Sequence, residues 1–214
     1  MAKPTRGGNK TAQPKQAQPQ EQPKEDPVLG PKGDPVEPDV AVGRVNRANY
    51  AKCEAGEPGY ENYDINCQRC IWAYELQRRG YDVEALPNND EFGYVWKYID
   101  KVVKNKTYSD LVDMSVQPGQ KDRITTVQQN IEKQMKEWGD GTRAFVRIDG
   151  HVFNVEQIDG KTVVFEAQTG NRGDLRRWLK FHNVARTRMM ASIMRTDDVE
   201  FRDDLSNVVK RRGS

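Results

Sequence analysis

Three short β-rich runs, Ala-Phe-Val-Arg-Ile at 144–148, His-Val-Phe-Asn-Val-Glu-Gln-Ile at 151–158 and Thr-Val-Val-Phe-Glu-Ala at 162–167, are separated only by Asp149-Gly150 and Asp159-Gly160. An Asp-Gly pair between alternating apolar runs is a two-residue hairpin signal. Links this short leave no room for a crossover helix, so the segment can only be an antiparallel meander. Helical patterns precede it. Residues 66–79 place apolar side chains at 67, 70, 71 and 74, with Asp64 or Asn66 as N-cap and Gly80 as stop. Residues 90–104 align Phe92, Val95, Trp96, Ile99, Val102 and Val103, and residues 125–138 align Val127, Ile131, Met135 and Trp138 before Gly139. A short helix over 174–181, a β-like run over 189–195 and an amphipathic piece over 203–210 follow. Helices first and strands later predict an α+β domain in which the helices pack on an antiparallel sheet. The helical spacing of Trp72, Trp96, Trp138 and Trp178 points to core positions, not base-stacking platforms.

Composition divides the chain in two. Residues 1–40 hold eight of the eleven prolines and five glutamines, with no Phe, Tyr, Trp or Ile. Such a stretch lacks the apolar surface to build a core, so residues 1–42 read as a disordered linker or delivery tail and residues 43–214 as the folded domain. Thirty-four Lys and Arg against 32 Asp and Glu leave a net charge of +2, which gives no electrostatic reason to expect nucleic acid or an anionic membrane as partner. No run approaches the roughly 18 apolar residues of a membrane span, and Met1 to Asn9 has no signal-peptide core. Three cysteines without a signal peptide indicate reduced thiols. Arg176, Arg177, Lys180, Arg186 and Arg188 form a local basic cluster, either a solvated face or one that steers an acidic partner.

Chemistry centres on Asn66-Cys67-Gln68-Arg69-Cys70. The predicted helix puts Cys67 in its first turn, where unpaired N–H groups and the positive end of the dipole favour thiolate and can receive an oxyanion. Cys70, one turn further in, suits a small buried hydrophobe. A zinc half-site or a redox pair are the other readings of Cys-x-x-Cys, but Cys53, His151 and His182 offer no second paired spacing, and a polar loop precedes the helix where a redox motif has a strand. A cysteine nucleophile needs a base. His151 opens a strand after a tight turn, whereas His182 ends a basic helix, so His151 is favoured. The next strand supplies Glu166 and Gln168 on one face to orient the imidazole, and spacing alone does not choose between them. Asn66, Gln68 and Gln168 are candidate auxiliary or oxyanion groups.

These residues resemble the papain-fold toxin family of bacterial glutamine deamidases. The resemblance is carried by Asn66-Cys67-x-x-Cys70 running into Ala73-Tyr74-Glu75-Leu76-x-Arg78-Arg79-Gly80-Tyr81-Asp82-Val83-Glu84-Ala85-Leu86-Pro87, then by Gly150 to Val155, Val164 to Gly170, and Met194-Arg195-Thr196-Asp197. It implies a papain-like cysteine fold with Cys67 as nucleophile, His151 as base and Glu166 as orienting acid, where the family usually carries Asp. It further implies deamidation of a glutamine on a target protein, no cofactor and no metal, and a neutralising immunity protein as a further partner. As a bacterial or phage-associated effector, the chain would be made in the cytoplasm and delivered to a target cell by secretion or a virion through a non-classical route. The same triad could also serve a cysteine protease or an acyltransferase, and a degenerate version would be a virion or binding module.

Overall fold

A computed structural model describes residues 26–89, 99–116, 119, 122–182 and 190–214. The predicted meander forms. β3 (Arg143–Ile148), β4 (His151–Ile158) and β5 (Lys161–Glu166) are joined by the two Asp-Gly links, with Ile148 opposite His151 and Ile158 opposite Lys161. At the second link Asp159 and Gly160 both take positive φ, 48° and 74°, the conformation a type I′ hairpin requires. β6 (Asn171–Asp174) pairs with β5 at one edge. On the other side β7 (Ala191–Arg195) pairs with β3, and the two-residue β2 (Val112–Asp113) closes that edge, so the order is β2-β7-β3-β4-β5-β6. A separate pair joins β1 (Val83–Ala85) to β8 (Val209–Arg211). The piece at 203–210 is thus turns leading into a strand.

Each face of the sheet carries helices. Ala144, Val146, Ile148, Phe153, Val155 and Val164 pack against α5 (Arg123–Trp138) and α6 (Leu175–His182). The alternate residues Phe145, Val152 and Phe165 pack against α1 (Pro38–Val45) and α3 (Cys67–Arg78). Period-two alternation turns one meander into the floor of two cores. α5 starts at Asp122, whose carboxylate accepts from the Thr125 N–H at 3.2 Å, and buries Val127, Ile131 and Met135 on one side. Of the tryptophans, Trp72 is buried and Trp138 and Trp178 are partly buried against the α5 core, while Trp96 lies outside the described residues. So does most of the expected helix at 90–104, of which Ile99–Val102 is present as α4.

α3 departs from the expected one-sided helix. Every residue from Gln68 to Gln77 is buried, polar ones included. Burying Arg69, Glu75 and Gln77 is tolerable because each finds partners. Arg69 donates to Asn207 O, Asn88 Oδ1 and Asn89 Oδ1, Gln77 donates to Val83 O at 2.8 Å, and Glu75 accepts from Arg79, Arg143 and Thr196. α3 ends as expected at Gly80, with φ 97° and Tyr81 N–H returning to Leu76 O.

The boundary expected after residue 42 falls inside α1. Leu29, Ala41, Val42 and Val45 belong to the α3 core, and Arg78 donates to Val36 O. α2 (Arg47–Glu54) follows at a sharp corner at Asn46, where φ is −151° and ψ −14°. Three small aliphatics in a Pro-rich setting are too few to signal a core segment. They are held because α3 offers them a surface.

Candidate functional site

Cys67 is the first residue of α3, reached through the buried Asn66, and is itself partly exposed. Asn66 occupies the N-cap position without capping. Its amide donates instead to Asn46 Oδ1 at 3.0 Å and Leu86 O at 2.9 Å, and its oxygen accepts from the Cys70 thiol at 3.2 Å. Burial pushes the Cys70 thiol well above its ordinary range, and neighbouring Cys67 and Glu166 add to the effect. Cys70 therefore stays a neutral buried thiol that steadies Asn66.

His151 opens β4 one residue after the hairpin. Its Nε2 lies 2.6 Å from Glu166 Oε2, and Cys67 bears on the same ring from the start of α3. Burial alone would lower its proton affinity. The bonds to Cys67 and Glu166, with the charges of both, override that and raise its pKa to about 10. His151 is therefore an imidazolium at neutral pH. Phe153 stacks at 6.2 Å from the imidazole and Trp178 stacks on Phe153 at 6.5 Å, giving the ring an apolar backing. His182, the other histidine, ends α6.

Glu166 is 1% exposed at the end of β5. One oxygen meets the imidazole and the other accepts the Gln168 N–H at 3.2 Å, so both are engaged. The choice that spacing left open between Glu166 and Gln168 is resolved by the side-chain contact: the residue bonded to His151 is Glu166. Gln168 is buried, and its side-chain nitrogen has no hydrogen-bond partner among the described residues. Gln68 is buried and donates to Asn88 Oδ1 at 3.4 Å. Asn66 and Gln68 thus spend their side-chain amides elsewhere, and the first turn of α3 pairs the Arg69 and Cys70 N–H groups with Asn66 O at 2.8 and 3.2 Å.

Sequence reasoning missed Asn46. Its amide donates to Tyr63 O at 3.0 Å and Gln168 O at 2.8 Å while its oxygen accepts from Asn66. Nothing in the local sequence marks an Asn between two short helices as the link between segments about 20 and 120 residues away. Among the described residues no group of three or more His, Cys, Asp or Glu is placed to hold a metal ion. No helix among them is long and apolar enough to cross a membrane. Comparison with family models, curated proteins and solved structures returns no match for this chain.

Proposed function

We propose that the protein is a cysteine-dependent amidohydrolase of papain-like architecture that converts a glutamine side chain on a target protein to glutamate. The observation that carries this reading is an imidazole held 2.6 Å from a buried carboxylate, with a partly exposed thiol at a helix start bearing on the same ring. Each group has a role the geometry suits. The Cys67 thiolate attacks the carboxamide carbon, and the charge formed on the oxygen meets the main-chain N–H of Cys67 at the start of α3. His151, already protonated, gives its proton to the departing nitrogen, so ammonia leaves and a thioester remains.

Hydrolysis of the thioester needs His151 as a base, and the same contacts explain the change. Two of the influences that raise its proton affinity come from Cys67, a hydrogen bond and a charge. Acylation removes both. The imidazole then holds a proton less tightly and can take one from water, which adds to the thioester carbon and releases the carboxylic acid and the thiol. Glu166 keeps the ring oriented in both halves. Its extra methylene relative to Asp is accommodated, because one oxygen reaches the ring while the other rests on the Gln168 N–H.

The test is intact and peptide mass spectrometry of the soluble proteome of cells expressing the wild type or Cys67→Ala. A Cys67-dependent gain of about one dalton at particular glutamines is expected, since NH2 becomes OH. Shortened proteins would favour a protease and adducts on amines an acyltransferase. A Cys67 that resists a mild electrophile near neutral pH would point to a binding module.

A further inference from the structure

Cys67 lies on α3 and His151 and Glu166 lie on the sheet, so their separation depends on what joins these two bodies near the reacting atoms. Asn154 of β4 donates to Ile71 O of α3 at 3.2 Å, and Asn46 links the residues that flank the reacting groups themselves. Asn46 sits at the corner between α1 and α2, 1% exposed, and uses its whole amide. Its oxygen accepts from Asn66, the residue before the nucleophile. Its nitrogen donates to Gln168 O, and the N–H of Gln168 holds Glu166 Oε1. The hydrogen bonds run from His151 through Glu166, Gln168 and Asn46 to Asn66, the residue before Cys67. The neighbour of Asn46 adds a second point of hold. The turn after Glu166 closes with Gly170 N–H on Glu166 O at 2.9 Å, and a Cβ on Gly170 would fall 2.7 Å from Arg47 Cβ, so the turn lies flush on this corner.

We propose that Asn46 is a positioning residue that sets the distance between the thiol and the imidazole–carboxylate pair by tying the start of α3 to the turn that carries Glu166. This rests on the reading of Cys67 and His151 as the reacting pair. It predicts that losing the amide leaves every reacting group in place but lets the two halves of the site drift. His151 then loses contacts that hold its proton, and Cys67 sits farther from the ring. The ionisable groups that bear on the pair are Glu166 from β5, Cys70 from α3 and, through Glu166, Tyr50 from α2.

The experiment uses the full chain with Cys53→Ser, so that Cys67 is the partly exposed thiol left, and compares Asn46, Asn46→Ala and Asn46→Leu. Leu is uncharged and close to Asn in size, so it removes the hydrogen bonds without opening a cavity and decides the matter where Ala does not fold. Two quantities are read: the pH midpoint of the His151 ring by NMR, and the rate of Cys67 alkylation by iodoacetamide at pH 7. The chain has two histidines, so loss of a resonance in His151→Asn assigns it. We expect the midpoint in either folded variant to fall by about one unit or more and alkylation to slow about tenfold, the change in proton affinity that one unit represents. A folded variant whose midpoint stays within about 0.3 unit and whose alkylation stays within about twofold overturns the proposal, because a residue that only supports folding moves neither. A wild type with an ordinary His151 midpoint and a sluggish Cys67 overturns the catalytic reading itself, and this positioning role with it.

Discussion

Replacing Glu166 by Gln keeps the size of the side chain and an oxygen that can accept from the imidazole, but removes its charge. The carboxylate oxygen lies 2.6 Å from His151 Nε2, and the two side chains are 2% and 20% exposed. Charge centres about 4 Å apart at an effective dielectric of about 20 interact by ~4 kcal/mol. The amide oxygen recovers part of this as a neutral hydrogen bond worth ~1 kcal/mol. The net loss of ~3 kcal/mol corresponds to about two pH units. The His151 midpoint, about 10 in the wild type, should fall to about 8 in Glu166→Gln. The assay is the NMR titration of the His151 ring. A midpoint within half a unit of the wild type would refute the reasoning, for it would mean that the carboxylate charge is not what holds the proton.

Stability should follow the same proton. The folded protein binds it more tightly than the unfolded chain, whose imidazole titrates near its ordinary 6.5. This contribution is therefore complete below about 6.5 and is lost as pH rises through about 10. Urea titrations across that window should show a decline that is smaller in Glu166→Gln. Glu75→Gln should cost ~3 to 5 kcal/mol by denaturant midpoint, since it breaks a fully buried carboxylate away from Arg79 and Arg143 at 2.7 and 2.8 Å; a loss below ~1 kcal/mol would contradict its place as the hub under α3. Gly80→Ala should destabilise by ~1 to 3 kcal/mol, because its φ is 97° and the new Cβ would sit 2.2 Å from Gly33 O. Cys70→Ala should lose ~1 kcal/mol of stability and keep Cys67 labelling, whereas a redox pair or zinc site would lose its chemistry with this thiol.

Much of this protein can be read locally. The meander follows from two Asp-Gly links between alternating runs, a signal complete within 25 residues. α3 is bounded by its own sequence, with Gly80 supplying a positive φ that other residues take at a cost. The candidates Cys67, His151 and Glu166 also followed from local position: a helix start, a residue after a turn, the end of a strand. β1, β2, β6 and β8 are two to four residues long, and nothing local distinguishes such pieces from loop until a partner strand pairs with them.

The sequence by itself determined which chemical groups are available and on what kind of element each sits, because helix starts and hairpins are set by neighbours a few residues apart. Only the tertiary structure decided that Glu166, and not Gln168, meets the imidazole, that Asn66 turns its amide inward, and that α3 is buried on all sides. It also decided that Leu29, Ala41 and Val42 belong to the core and that Asn46 comes to the site. These outcomes depend on contacts between segments about 20 to 120 residues apart. A buried polar side chain settles on whichever distant partner satisfies it, and no local pattern records which one that is.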